Sequence, residues 1–141
     1  MNLFEYAVRL TEAEEGGFVV TCRDFPEVIT QGDTLEDALM EAADAMDEAF
    51  ANRMENDMEI PVPSRPENGE HLVAPPPETV LKASLHVAMR KAKITKVELA
   101  RRINVDEKEV RRMLDPHHKS KFPRMVSAIG ALGEKLVIGL G

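Results

Sequence analysis

Residues 95–114 read TKVELARRINVDEKEVRRML, and this stretch decides the fold of the second half of the chain. Thr95 and Asp106 are each followed three residues later by a glutamate, which is the signature of a capping box at the N-terminus of a helix. The two boxes predict two short helices, over residues 96–102 and 107–114. Because only a three-residue break separates them, we expect the two helices to touch.

The residue types in and around the break meet the steric demands of a helix-turn-helix motif. Ala100 is small where the two helices touch, and Asn104 lies where the turn needs a left-handed residue. Asparagine tolerates positive φ because its side chain is short and polar. The segment is therefore predicted to be a helix-turn-helix, the alternative being two helices of an unrelated bundle. Apolar residues lie where the helices must pack: Leu99, Ile103, Val105, Val110 and Met113.

The charge of the second predicted helix indicates what the motif binds. In a helix-turn-helix the second helix enters the major groove of DNA, where its outward side chains reach the base edges. Arginine and lysine can pair with guanine, glutamate can accept from cytosine, and surrounding basic residues bind phosphates. Arg124 is one such expected phosphate ligand. The predicted DNA-binding residues are Thr95, Lys96, Glu107, Lys108, Arg111, Arg112, Lys119 and Lys121.

Helical periodicity continues on both sides of the motif. A first helix is predicted over residues 80–92 and a last one over 123–132, which Gly133 would cap. Residues 136–140, LVIGL, form an apolar run with β character that would aggregate if it were exposed. We therefore expect it to be buried or paired with the same strand of a second subunit, since two-fold dimers suit DNA sites with two half-sites. The predicted dimerisation residues are Leu136, Val137, Ile138 and Leu140.

The first sixty residues show the period of strands and then that of a helix. Alternating apolar residues over 4–10 and a β-branched run over 18–22 flank a Gly-Gly turn, which predicts a β-hairpin. A third strand is predicted over 28–31, and a helix with one acidic face over about 35–54. Residues 58–63 are predicted to form a last edge strand, which their prolines protect against further pairing.

Charge divides the chain more clearly than any other property. The 141 residues carry a net charge of −7, but residues 1–70 hold 4 basic and 18 acidic residues, a net of −14, whereas residues 71–141 carry +7. This asymmetry indicates two modules whose partners have opposite charge, one basic and one acidic, such as nucleic acid. For the acidic helix face the alternative is that its carboxylates are merely solvated.

Other features of the composition exclude whole classes of protein. The single Cys22 cannot form an internal disulfide and is expected to be a small hydrophobe, and His117 and His118 are expected to lie in a loop beside DNA rather than to bind metal. The sequence has no stretch of about 18 apolar residues and no basic N-terminal region, so we expect neither a membrane span nor a secretion signal. We expect a soluble cytoplasmic protein without a metal or other cofactor, whose small modules favour oligomers.

A proline-rich segment separates the two modules. Residues 64–78 contain the run Pro75-Pro76-Pro77 and have almost no apolar periodicity, which predicts a stiff linker open to proteolysis. The predicted fold class is therefore α+β. An acidic β-β-β-α-β domain occupies residues 1–63, the linker 64–78, and an all-α helix-turn-helix domain with a terminal β-strand 79–141.

Several short motifs, taken in order, resemble those of the HicB antitoxin family. In the first half they are YAV at 6–8, EGGFVV at 15–20, DFPE at 24–27 and TQGDT at 30–34, followed by an alanine-rich helix. In the second half, ELARRI at 98–103 and LGEKL at 132–136 resemble the subgroup with a C-terminal Cro/repressor-like domain. The resemblance covers nearly the whole chain apart from the linker.

This resemblance implies an antitoxin of a type II toxin–antitoxin pair. Members of the family carry a partial, catalytically inert RNase H-like domain that covers HicA, a small basic RNA-cleaving toxin, and a DNA-binding domain that represses their own operon. An acidic domain suits such a toxin, because opposite charges steer two proteins together. By analogy the predicted toxin-binding residues are Asp24, Phe25, Pro26, Glu27, Asp44 and Asp47.

Two other functions remain open at this point. An RNase H-like fold could support two-metal nuclease chemistry, for which Asp24 and either Asp44 or Asp47 are the candidate ligands. The chain could also be a stand-alone transcription regulator whose acidic domain binds a small ligand or only oligomerises. A short basic protein encoded beside this one would favour the antitoxin.

Overall fold

A computed structural model describes residues 4–140, so residues 1–3 and 141, at the ends of the two predicted domains, lie outside the description. The described chain is an α+β protein, as predicted, in which a four-stranded antiparallel sheet precedes most of the helices. No helix in this part of the chain is both long and apolar enough to cross a membrane. The elements are β1 (Tyr6–Glu12), β2 (Phe18–Cys22), β3 (Ile29–Gly32), α1 (Leu35–Glu55), β4 (Glu70–Val73), α2 (Pro77–Ala92), α3 (Lys96–Ile103), α4 (Glu107–Leu114) and α5 (Phe122–Ala131).

The predicted hairpin forms the centre of the sheet, whose strand order is β3-β2-β1-β4. β1 pairs antiparallel with β2 in a register that places Val8 opposite Cys22. The turn between them needs glycine, since Gly16 and Gly17 have φ values of +95° and +78°. A Cβ at Gly17 would lie 2.6 Å from the carbonyl oxygen of Gly32, so the turn packs directly on the end of β3.

The last strand of the sheet lies outside the segment predicted for it. The prediction of a strand over 58–63 is wrong, because Pro61 and Pro63 lack the N–H groups that a ladder of hydrogen bonds needs. The strand is β4, which pairs antiparallel with β1, Tyr6 opposite Val73, inside the segment predicted as a linker. The sequence gives little sign of β4, since Val73 is the only buried residue among its four.

A cluster of charged side chains fastens β4 to the sheet. The carboxylate of Glu70 accepts hydrogen bonds from Arg23 at 2.7 and 3.1 Å and from the N–H of Glu67 at 2.7 Å. These bonds, the one from Arg23 foremost, lower the pKa of Glu70 to about 2. Residues 70–73 are therefore part of the sheet and not of a flexible connection.

α1 covers one face of the sheet. Thr34 caps it, because its Oγ1 accepts a hydrogen bond from the N–H of Asp37 at 3.0 Å. The sheet core also contains Cys22, which confirms its prediction as a small hydrophobe, and burial raises the pKa of its thiol. The buried side of α1 consists of residues with helical spacing: Ala38, Ala42, Met46, Ala49, Phe50 and Met54.

Helices α2–α5 surround a second core, and their bounds agree with the predictions to within a few residues. Thr95 Oγ1 accepts from the N–H of Glu98 at 3.2 Å, and Asp106 Oδ1 accepts from the N–H of Glu109 at 2.8 Å, so both predicted caps are confirmed. Asn104 has the left-handed φ of 58° and ψ of 50° that the turn requires. The buried residues of this helix core are Leu85, Met89, Leu99, Ala100, Val110, Met113, Met125, Ala128 and Ile129.

The chain after α5 forms no strand. Gly133 ends α5 as predicted, with φ +83° and a hydrogen bond from the N–H of Glu134 to the carbonyl of Ile129 at 3.3 Å. Leu136 packs against the helix core. The predicted terminal strand is absent because no other strand of residues 4–140 pairs with it. Its remaining apolar side chains are exposed: Val137, Ile138 and Leu140.

Candidate functional site

One side of α1 carries carboxylates along most of its length. Asp37, Glu41, Asp44, Glu48 and Glu55 recur at intervals of three, four or seven residues, which places them on the side of α1 opposite its buried residues. We call these five residues the acidic stripe. All five are exposed, and within residues 4–140 none of them has an ion-pair partner. A surface of this kind attracts basic proteins.

The basic side chains of the sheet domain do not neutralise the acidic stripe. Arg9 lies 3.8 Å and Arg23 2.7 Å from the carboxylate of Glu70, and Arg53 lies 2.7 Å from that of Glu27. Each of these three cations is therefore paired with a carboxylate outside the stripe. None of these three arginines therefore forms an ion pair with the stripe.

The structure corrects the role predicted for Phe25. Its side chain is 0% exposed and cannot present a surface to a partner. Its ring meets Tyr6 edge-on at 4.8 Å and stacks on Phe50 at 5.1 Å, and the guanidinium of Arg53 lies 4.6 Å from the ring centre. Phe25 thus anchors the loop over residues 24–27 in the sheet core.

The other three loop residues differ in exposure and bonding. Pro26 and Glu27 are exposed, whereas Asp24 is half-buried. The Asp24 carboxylate accepts hydrogen bonds from the N–H of Ser64 at 2.8 Å and from its hydroxyl at 2.5 Å. Glu27 accepts from Arg53 at 2.7 and 2.9 Å, which lowers the pKa of Glu27. Pro26 and Glu27 are therefore the loop residues that a partner can reach.

Asp44 and Asp47 are three residues apart on α1 and are neighbours on its surface, but their surroundings differ. Asp44 belongs to the acidic stripe, whereas Asp47 accepts a hydrogen bond from the hydroxyl of Thr79 on α2. Thr79 is 3% exposed, so Asp47 takes part in the contact between α1 and α2. The nuclease alternative needs converging ligands, but Asp24, Asp44 and Asp47 each face a different environment. In residues 4–140 no group of three or more His, Cys, Asp or Glu side chains is arranged to hold a metal ion.

The predicted DNA-binding residues lie on and beside α4. Val110 and Met113 are fully buried, so the opposite side of α4 faces solvent. Thr95 is exposed at the start of α3, and its hydroxyl keeps a free O–H while its oxygen caps the helix. Glu107 is only partly exposed. The basic residues that the sequence predicted to contact DNA are all exposed: Lys96, Lys108, Arg111, Arg112, Lys119, Lys121 and Arg124.

Carboxylates of α4 hold several of these arginines. Glu107 lies 2.8 Å from Arg111, and Glu109 lies 3.6 Å from Arg112 and 3.3 Å from Arg124 of α5. Glu107 is thus bonded within the chain in this structure, although the sequence predicted it to face a base. Glu109, which the sequence identified only as the partner of a cap, joins α4 to α5.

The sequence did not identify a set of buried polar residues on α2. Among residues 4–140 the only polar or charged residues that are buried as whole residues are Thr79, Lys82 and His86, and all three belong to this helix. The Nε2–H of His86 donates to the carbonyl of Met58 at 2.8 Å, and burial lowers the pKa of His86. Their spacing of three and four residues, which matches that of the apolar residues of α2, is the signal that could have identified them.

α2 belongs to both cores. Ala83 is buried in the sheet core, whereas Leu85 and Met89 are buried in the helix core. Arg90 at the end of α2 lies 3.1 Å from Asp57, beyond the end of α1. The two predicted modules therefore share a helix and make direct contacts with each other.

Comparison with known proteins identifies a family that matches the first part of the chain. Residues 5–84 match the family described as the HicB_like antitoxin of bacterial toxin–antitoxin systems. The matched segment includes β4 and ends within α2, just after its contact with the sheet core.

Relatives named as antitoxins cover almost the whole chain. Antitoxin HicB of Escherichia coli strain K12 is 38% identical over 131 residues, which is 93% of this chain and 95% of the relative. Antitoxin HicB 1 of Photorhabdus laumondii is 36% identical over 96% of this chain and 86% of its own length. Antitoxin HicB of Pseudomonas fluorescens is 32% identical over 98% and 94%. With the matched family, these relatives identify a non-enzymatic antitoxin, and the chain belongs to the HicB antitoxin family.

Proposed function

We propose that this antitoxin neutralises a small basic HicA-like RNA-cleaving toxin with its N-terminal domain and represses its own operon with α3 and α4. The observation that carries the first part is the acidic stripe, whose five carboxylates have no cation to neutralise them within residues 4–140. In this proposal the sheet domain is an inert RNase H-like fold that acts only by binding.

The acidic stripe suits the surface that an RNA-cleaving toxin must have. A protein that binds RNA presents basic side chains to the phosphates, and a row of carboxylates competes for the same side chains. From Asp37 to Glu55 the stripe spans about 27 Å at 1.5 Å per residue, which is comparable with one side of a small protein. The exposed loop residues Pro26 and Glu27 supply a further point of contact.

The DNA-binding half of the proposal is supported by the geometry of α3 and α4. Each of the two helices has eight residues and a side-chain cap, the left-handed Asn104 ends the first, and the last turn of the second carries Arg111 and Arg112. As a helix-turn-helix, this pair would insert α4 into the major groove. Lys108, Arg111 and Arg112 would then face the bases. The phosphate contacts would come from Lys96, Lys119, Lys121 and Arg124.

The proposed active form is a homodimer joined through the C-terminal segment. Val137, Ile138 and Leu140 are exposed in the single chain, and burial of such an apolar run is favourable. Pairing with the same segment of a second subunit would also supply the backbone hydrogen bonds that this segment lacks in the single chain. Leu136 would then act indirectly, because it is packed against the helix core of its own chain.

The role of the acidic stripe can be tested by neutralising part of it. The variant Glu41→Gln/Asp44→Asn/Glu48→Gln removes three exposed charges from α1 and leaves the buried side of the helix unchanged. We expect the association rate with the HicA-like toxin to fall about tenfold at low salt, because opposite charges steer encounter. The matched control is Glu12→Gln/Glu14→Gln/Glu15→Gln, which removes three exposed charges from the hairpin turn. Equal association rates for both variants would contradict the role of the stripe.

The DNA-binding role can be tested separately from toxin binding. We expect Arg111→Ala/Arg112→Ala to lose the preference for DNA upstream of its own gene over a scrambled duplex, while toxin binding is retained. The matched control is Arg101→Ala/Arg102→Ala, whose guanidinium groups are bonded to Glu98 on α3. It should keep the sequence preference. If the α4 variant keeps the preference, α4 is not the helix that reads the bases.

A further inference from the structure

Lys82 is a buried cation without a carboxylate partner within ion-pair distance in the described chain. Its side chain lies on α2 and the residue is 3% exposed. Nζ donates to the carbonyl of Arg112 at 2.8 Å and to the hydroxyl of Ser120 at 2.6 Å. A methionine or leucine would fill the same space without the cost of removing a charge from water. Packing alone therefore does not explain why a lysine occupies this position.

The two oxygens that Lys82 binds belong to elements of the proposed DNA-binding face. Arg112 lies in the last turn of α4, where the helix dipole favours a cation, and its carbonyl also accepts from the N–H of Asp115 at 3.2 Å and from the Ser120 hydroxyl at 3.4 Å. Ser120 lies in the segment between α4 and α5, next to Lys119 and Lys121. This segment has no regular secondary structure, so few backbone hydrogen bonds of its own hold it in place.

We propose that Lys82 is a positioning residue for DNA binding. It ties the last turn of α4 to the segment that carries Lys119 and Lys121, so that these two lysines reach phosphates while α4 lies in the groove. This inference rests on the proposed DNA-binding function. Lys82 itself does not touch DNA, since its ammonium group is enclosed between α2, α4 and Ser120.

The variant Lys82→Met tests this assignment, because its unbranched side chain ends one atom short of Nζ, fills most of the same space and removes both hydrogen bonds. The matched control is Lys91→Met, which removes the same charge from an exposed position on the same helix. The assay measures affinity for DNA upstream of the gene over a series of salt concentrations, with hydrogen exchange of residues 115–121 in the free protein.

For Lys82→Met we expect DNA affinity about tenfold weaker at 0.1 M salt and faster exchange of residues 115–121. The slope of log affinity against log salt should decrease in magnitude by about 1.8, which is about 0.9 for each of two lost phosphate contacts. Lys91→Met should keep the affinity, the slope and the exchange pattern of the unmodified chain. A merely structural role would lower thermal stability and leave the salt slope unchanged, and that result would overturn the proposal.

A gentler variant keeps the test decisive if Lys82→Met does not fold. Ser120→Ala removes one of the two acceptors of Lys82, together with the 3.4 Å bond from its own hydroxyl to the carbonyl of Arg112, and no charge. It should shift affinity and exchange in the same direction by a smaller amount. Unchanged affinity and exchange in a folded Ser120→Ala would overturn the proposal. If the unmodified chain shows no preference for its own upstream DNA, the proposed DNA-binding function fails instead, and hydrogen exchange in Lys82→Met still tests the positioning of residues 115–121.

Discussion

Replacing Phe25 with leucine separates a role in the core from a role at the toxin interface. Leucine keeps most of the apolar burial but loses the ring contacts with Tyr6 and Phe50 and the guanidinium of Arg53 above the ring. Two aromatic pairs at about 0.5–1.5 kcal/mol each, with about 0.5 kcal/mol for the cation over the ring, give a loss of about 1.5–3.5 kcal/mol. Because domains are stable by about 5–15 kcal/mol, Phe25→Leu should still fold.

The assay combines urea unfolding, followed by circular dichroism, with toxin affinity at 25 °C. We expect the free energy of unfolding to fall by about 1.5–3.5 kcal/mol and Tm by about 5–11 °C, with toxin affinity within about threefold of the unmodified chain. Phe18→Leu is the matched control, since Phe18 is only half-buried, and it should lose less than about 1 kcal/mol. A folded Phe25→Leu that keeps its stability but loses toxin affinity by more than about tenfold would refute the assignment of Phe25 to the core.

Three further predictions concern pH, the fourth strand and the C-terminal segment. Burial lowers the pKa of His86, so below about pH 6.5 the unfolded chain binds more protons than the folded chain, and stability should fall as the pH drops. The urea midpoint of the unmodified chain should therefore decrease between pH 7.5 and 5.5. In His86→Gln most of this pH dependence should be absent. Because the pKa of Glu70 is lowered to about 2, its stabilisation is present above about pH 4.5 and is lost as the pH falls towards 2; at pH 7, Glu70→Gln should lower Tm and speed hydrogen exchange of residues 70–73, and unchanged exchange would contradict the attachment of β4 by this carboxylate. Truncation after residue 135 should convert the proposed dimer into a monomer, as measured by light scattering. A truncated chain that stays dimeric would exclude the C-terminal segment as the interface.

The helices could be predicted from the sequence because the residues that begin and end a helix lie within or next to it. The capping residues Thr95 and Asp106 and the left-handed Asn104 act within a few residues of themselves, and each has the predicted geometry. The Gly-Gly hairpin is predictable for the same reason. The order and spacing of the short motifs resemble those of the HicB antitoxin family, and this resemblance predicted that the protein is an antitoxin.

Features that depend on distant partners could not be predicted in the same way. β4 is short and becomes a strand because β1 offers it an edge and Arg23 binds Glu70. A phenylalanine beside a proline in a polar segment suggests an exposed side chain that contacts a partner. Phe25 instead packs between Tyr6 of β1 and Phe50 of α1, which are far apart in sequence. The contact of Asp47 with α2 likewise depends on how two helices pack.

The central claim is that this chain neutralises a toxin, and growth rescue tests it most directly. The short reading frame beside this gene is expressed from an inducible promoter, alone or together with this chain. We predict that it encodes a basic protein, that it stops growth when expressed alone, and that growth is restored by the unmodified chain and by Arg111→Ala/Arg112→Ala. A neighbour that is not toxic, or a toxic neighbour that this chain does not neutralise, would contradict the account and favour a stand-alone regulator.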